Sequence, residues 1–153
     1  MLVALNGLFV AAEFSFVKIR PTQIDRLEEE RRFGAGLVRE ATGKLDAYLA
    51  VCQLGITISS LGLGALAEPV VDHVIVRPLL TSVLEPSEAV IHAVSFPVAF
   101  GLVSFMHVVF GELAPKSIAI QRAERTALVV APFMKFAYYV LLPLTAVFNG
   151  TAN

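Results

Sequence analysis

Apolar positions along this chain are bunched into long runs, not spaced at the period of 2 or 3.6 that marks a half-buried strand or a surface helix. The clearest run, Ala47 to Ala67, carries no charge and ends at Glu68. At 1.5 Å rise per residue it is long enough to cross a hydrocarbon layer of ~30 Å. Ala89 to Gly111 lacks Asp, Glu, Lys and Arg, although it holds His92, Pro97 and His107, and reads as a less uniform span. Met1 to Val17 is apolar except for Asn6, Glu13 and Ser15 and sits at the lower length limit for a crossing. The pattern therefore predicts spans over about 1–17, 47–67 and 89–113, with a hairpin loop from Glu68 to Glu88. Thr126 to Gly150 is apolar too, but Pro132, Lys135 and Pro143 interrupt it, and Tyr138 and Tyr139 suit the headgroup level. Both a fourth crossing and a broken helix pair at the cytoplasmic interface fit that stretch.

Charge orients these runs. Residues 18–46 carry Lys18, Arg20, Arg26, Arg31, Arg32, Arg39 and Lys44, whereas the Glu68 to Glu88 loop carries only Arg77. The positive-inside rule puts the first segment in the cytoplasm, with Lys116, Arg122 and Arg125 on the same side and the N-terminus outside. Pro21 opens a helix that Ile24, Leu27 and the Glu28 to Arg32 charge run continue, Gly34 and Gly36 interrupt it, and a second short helix starts at Leu37. These are expected to be juxtamembrane helices with apolar edges on the bilayer; a solvated charge run is the plainer alternative. Composition agrees: 56% apolar and 16% charged residues, against roughly 25% charged in soluble domains. A net charge of −1 gives no sign of a nucleic-acid partner, and the single cysteine, Cys52, excludes an internal disulfide. No basic n-region marks the start as a secretory signal.

Polar groups inside apolar spans are costly and call for a partner, a pathway or the interface. Asn6 and Glu13, seven residues apart, share one helix face. In the second span, Gly55 with Ser59 and Ser60 with Gly64 repeat at small-xxx-small spacing, which suits close helix packing or an oxygen-lined cavity for a hard cation. The third span ends in Gly111-Glu112-Leu113-Ala114-Pro115-Lys116. Pro115 cannot donate to the Gly111 carbonyl, which leaves that oxygen free beside the Glu112 carboxylate; a plain helix end with a Glu112–Lys116 pair is the competing reading. His92 and His107 read as packing or hydrogen-bonded histidines. No nucleophile elbow, HExxH or phosphate loop is present, so an enzyme is not expected.

The runs Asn6-Gly7-Leu8-Phe9-Val10-Ala11-Ala12-Glu13-Phe14-Ser15, Leu45-Asp46-Ala47-Tyr48 through Gly55-Ile56-Thr57, and Gly111-Glu112-Leu113-Ala114-Pro115-Lys116-Ser117 together resemble the CNNM/CorC family, in order and spacing, across nearly the whole chain. The resemblance implies an all-α, homodimeric membrane domain with three crossings, juxtamembrane helices and the broken, interfacial form of 126–150. It also implies Mg²⁺ export in the cell membrane, coupled to Na⁺ influx by alternating access. Full-length relatives carry cytoplasmic CBS domains, absent from this chain. Carried over by position, Mg²⁺ would sit among Ser15, Gly55, Ser59, Ser60 and Glu112, with Asn6, Glu13, Gly111, Pro115 and Lys116 along the pathway. Ile56 and Ser60 stand where many animal relatives have asparagines, and Ala12-Glu13 where many bacterial relatives have Ser-Glu. A membrane-anchored regulator of another transporter, with no flux of its own, is the alternative function.

Overall fold

The computed structural model describes residues 1–81 and 87–152, with side chains given at neither Glu68, 80–86 nor 145–153. Among the described residues there are helices and no strand, in the order α1 (Leu2–Lys18), α2 (Pro21–Glu29), α3 (Ala35–Gly43), α4 (Leu45–Val71), a π-helical turn (Asp72–Val76), α5 (Arg77–Thr81), α6 (Glu88–Met106), a second π-helical stretch (His107–Leu113), α7 (Ala114–Gln121) and α8 (Ala123–Ala152). Part of the expected hairpin loop, 82–86, lies outside the described residues.

Three helical stretches are long and apolar enough to cross a membrane: Leu45–Ala67, Glu88–Gln121 and Ala123–Leu144. The chain is thus a multi-pass, all-α membrane domain, but the count is distributed differently from the sequence expectation. α1, at 17 residues, reaches crossing length only together with α2, from which it is bent by 99°. The bend falls at Ile19-Arg20, where extended backbone precedes Pro21 and the Arg20 N–H is capped by the Gln23 side chain at 3.0 Å.

The break expected within 126–150 does not occur: α8 runs without interruption through Pro132 and Pro143. An interior proline costs a helix ~3 kcal/mol, and packing offsets it here. Ala127, Val130, Ala131, Met134 and Ala137 are all buried in the main core with Phe9, Phe16, Val38 and Tyr48. The carbonyl that Pro132 leaves without its helical donor, on Leu128, is approached by Gly34 of the α2–α3 turn. A Cβ at Gly34 would stand 3.2 Å from that oxygen, and Gly34 has φ +89°, so glycine is required twice over. Farther along, Lys135 of α8 bonds the Glu40 carboxylate of α3. That ammonium, with Lys44, holds the Glu40 carboxyl below the ordinary glutamate range. The first half of α8 therefore lies alongside the charged helix α3. Its length suffices for a crossing, and its neighbour there carries Arg39 and Glu40.

Aromatic contacts tie this core: Phe9 meets Phe133 edge-on at 5.1 Å between centroids, and Tyr48 stacks on Tyr138 at 4.6 Å. α1 is its centre, packed against α4, α7, α8 and the second π-helical stretch.

Candidate functional site

The second π-helical stretch exists where the sequence places a helix-breaking residue at membrane depth. Ala114 donates to the Val109 carbonyl five residues back, and the widened turn brings in Pro115, which has no N–H, without a break between α6 and α7. Gly111 is buried there, and its carbonyl accepts a hydrogen bond of 2.9 Å from Asn6 Nδ2 on α1. A Cβ at position 111 would lie 3.0 Å from the His107 ring and 3.1 Å from Asn6 Nδ2, so a larger residue would push both side chains off their present contacts. Position 7 is equally constrained: a Cβ there would meet Pro115 Cγ at 2.9 Å and the Phe110 carbonyl at 3.2 Å. The oxygen that proline frees is thus satisfied from another helix, as irregular backbone at membrane depth requires.

From Asn6 the polar chain continues to α4. Ser60 Oγ donates toward Asn6 Oδ1 at 3.4 Å and lies 3.2 Å from His107 Nε2. Ser60 and His107 also line one end of a cavity of about 220 Å³ between α4 and α6, together with Gly64, Ser104, Phe96 and Phe100. Three helical segments therefore bring three oxygens and an imidazole together, Asn6 Oδ1, Ser60 Oγ, the Gly111 carbonyl and His107 Nε2; of these, Ser60 and His107 border the cavity, while Asn6 and Gly111 are buried behind them.

The remaining sequence candidates make contacts of their own outside this hydrogen-bonded group. Ser15 is fully buried, and its hydroxyl bonds the Ala12 carbonyl of its own helix at 3.1 Å. Gly55 provides room for packing, since a Cβ there would fall 2.4 Å from the Phe9 ring. Ser59 is 1% exposed and its hydroxyl has no hydrogen-bond partner among the described residues. Glu112 is exposed and makes no ion pair among the described residues, so the Glu112–Lys116 pair is not formed. Lys116 instead lies 4.5 Å from the Phe14 ring centroid. Glu13 is half-buried within the electrostatic reach of Lys116. Among the described residues, no group of three His, Cys, Asp or Glu side chains could hold a metal ion.

A second polar cluster was not foreseen. Asp72, 3% exposed on the first π-helical turn, accepts from Ser95 Oγ of α6 at 2.9 Å and from Arg77 at 3.3 Å. Arg77 also forks onto Glu88 with two bonds of 2.9 Å. The Ser95 hydroxyl, and then the Arg77 guanidinium, hold the Asp72 carboxyl below the ordinary aspartate range. Its signal in the sequence is the five-residue spacing of Asp72 and Arg77, one π-helical turn.

Fold and site together define a multi-pass helical membrane domain with a polar cluster at a proline-bounded π-helix. The sequence matches the family described as "Cyclin M transmembrane N-terminal domain" over residues 1–153, and this chain belongs to that family, CNNM. It is 45% identical to the UPF0053 protein YhdT of Bacillus subtilis over 153 residues, covering 100% of this chain and 33% of that protein. It is 43% identical over 155 residues to the UPF0053 protein YugS of Bacillus subtilis, covering 100% of this chain and 35% of that protein. The uncharacterized protein Rv1841c of Mycobacterium tuberculosis is 35% identical over 155 residues, with 100% and 43% covered. The chain spans about a third of the length of the Bacillus relatives, which therefore carry further sequence beyond the shared membrane domain.

Proposed function

We propose that this domain moves Mg²⁺ across the cell membrane through the cluster at the second π-helical stretch, as an exporter driven by Na⁺ influx. The observation that carries the reading is the Gly111 carbonyl. It is freed by Pro115, held by Asn6 and placed next in sequence to Glu112, with Ser60 completing the group at the cavity end. Mg²⁺ binds about six oxygens at 2.0–2.1 Å and gives up its waters reluctantly. Neutral oxygens with one carboxylate favour it without trapping it. The Ser59 hydroxyl, without a hydrogen-bond partner among the described residues, is a further buried oxygen on α4, about 100° around the helix from Ser60 and facing α1 and α8. The Asn6 amide exchanges its hydrogen bond for a ligand bond through Oδ1, and Glu112 turns inward as charged anchor. In this reading the N-terminus is outside, α8 lies at the cytoplasmic interface for its first half, and the working unit is a homodimer. The long apolar α6, whose Val94, Phe96, Phe100, Leu102 and Phe105 are exposed, has surface to spare for such a contact.

Full-length protein in proteoliposomes tests this. Ser60→Ala and Glu112→Ala should each lower Mg²⁺ efflux to background while leaving the protein monodisperse, and collapsing the Na⁺ gradient should lower wild-type efflux likewise. Wild-type rates in both variants would remove the site assignment. No Mg²⁺ flux under any gradient would favour the regulator.

A further inference from the structure

The turn between α2 and α3 is built in an unusual way. Arg31, with φ 52°, and Gly34, with φ 89°, are both left-handed. A non-glycine residue there persists only where its surroundings impose it. Gly34 sits on the Leu128 carbonyl that Pro132 frees, so the turn is pinned to α8. Its outcome is to hold Phe33 in the open, 86% exposed.

Beside that turn runs a groove of about 450 Å³, lined by Arg32, Phe33, Arg125, Leu128, Val129 and Pro132. Its rim is cationic and its floor apolar. Neither Arg32 nor Arg125 makes an ion pair among the described residues, and carboxylates nearby in sequence are turned to other partners. Glu28 binds Arg39 at 2.7 Å, while Glu124 and Glu30 take Arg26 at 2.6 and 3.8 Å. From the groove an apolar stripe continues along α8 through Val129, Phe136 and Val140, exposed by 71%, 69% and 54%. Spacings of seven and four keep these on one helix face. At 1.5 Å rise per residue the stripe extends about 16 Å, the scale of an acyl chain.

We propose that this groove is a binding site for an anionic phospholipid, with the phosphate held by Arg32 and Arg125 and an acyl chain along Val129, Phe136 and Val140. Guanidinium groups match phosphate oxygens in pairs of hydrogen bonds. A free phosphate or an acidic peptide would use the arginines but not the stripe; an amphiphile uses both. Bound lipid would fasten α2, α3 and α8 as one unit at the membrane surface, independently of any ion at the π-helical site.

The test uses full-length protein reconstituted into vesicles of equal parts phosphatidylglycerol and phosphatidylcholine, extracted and weighed intact by native mass spectrometry. Wild type should retain phosphatidylglycerol over phosphatidylcholine. A basic residue at an anionic surface is worth about fivefold, so the double variant Arg32→Gln/Arg125→Gln should lower that preference roughly 25-fold. Phe136→Ser should release the lipid while leaving the affinity for inorganic phosphate unchanged. Arg122→Gln, outside the groove, should retain phosphatidylglycerol as wild type does, and circular dichroism should show all variants equally helical. Undiminished preference in the double variant would overturn the proposal. So would full displacement of the lipid by millimolar inorganic phosphate, or an equal loss in Arg122→Gln.

Discussion

The two ends of this helical domain are held by different physics. Around the middle and lower part of α1, a single cluster joins buried residues of α1, α2, α3, α4, α7 and α8, from Phe9 through Leu27 and Val38 to Met134. At the far end of α4 the buried apolar group among the described residues is Val71, Val76, Ile91 and Ala99, with Val103 against it. There α6 relies on Asp72, which binds Ser95 and Arg77. The well-packed end resists deformation because cores at crystal-like density are bistable rather than soft. The other end has a polar latch that can open without exposing much apolar surface. The cavity containing Ser60 and His107 lies on that side, between α4 and α6. Opening on that side is the motion expected to cost least, with α1 and the core packed around it as the frame.

The largest effect that would break this contrast is expected in the packed end. Gly55→Leu drives a side chain into Phe9, and overpacking costs about 1–3 kcal/mol. A clear fall in Tm in detergent is predicted; tolerance as complete as at the latch would dissolve the distinction. Gly111→Val comes next, since it separates Asn6 from the carbonyl it serves, a loss of roughly 1–3 kcal/mol if Asn6 stays buried and unpaired. Its Mg²⁺ flux should fall further than its Tm, and intact flux would argue that the cluster is only structural.

Asp72→Asn is predicted to leave global Tm nearly unchanged while hydrogen exchange accelerates over 88–99 and not over α1. The same contrast can be made by pH. The folded Asp72 carboxyl lies below its unfolded value, so its contribution is complete above the ordinary aspartate range and is lost as pH falls through the depressed value. Acidification should loosen the start of α6, and Asp72→Asn should lessen that acid step, leaving the part due to Glu88, whose carboxylate Arg77 also binds. Acid exchange that is identical in both proteins would show the latch to be idle. The smallest effect is expected at Arg39, whose pairs with Asp25 and Glu28, at 2.5 and 2.7 Å, are largely exposed. Arg39→Gln should hardly move Tm, and less still in high salt.

Much of the frame was legible from single residues. Uncharged runs marked α4 and α6, Pro21 marked the start of α2, and Pro115 singled out the Gly111 carbonyl before any partner for it was visible. Pro132 and Pro143 misled, because a proline states what hydrogen bond is lost but not what packing replaces it. The family resemblance singled out Ser15 and Gly55 as ligands; in the structure Ser15 bonds its own helix backbone and Gly55 makes room for Phe9. Asp72 fell in a presumed loop because the first π-helical turn adds a residue to the helical period and shifts which side chains share a face.

What the sequence determined by itself is the solvent: runs of apolar residues of this length have only lipid or a deep core to occupy, and the basic residues between them are concentrated in 18–46, with Arg77 alone in the Glu68 to Glu88 segment. It also named the oxygens that lipid would leave unsatisfied. Only the tertiary structure decided which were answered and by whom. Asn6 and Gly111 are 105 residues apart, and their meeting depends on two glycines and a widened turn that bring three helices within hydrogen-bond distance. Such close approach is a property of packing among segments, and no local pattern in any one of them contains it.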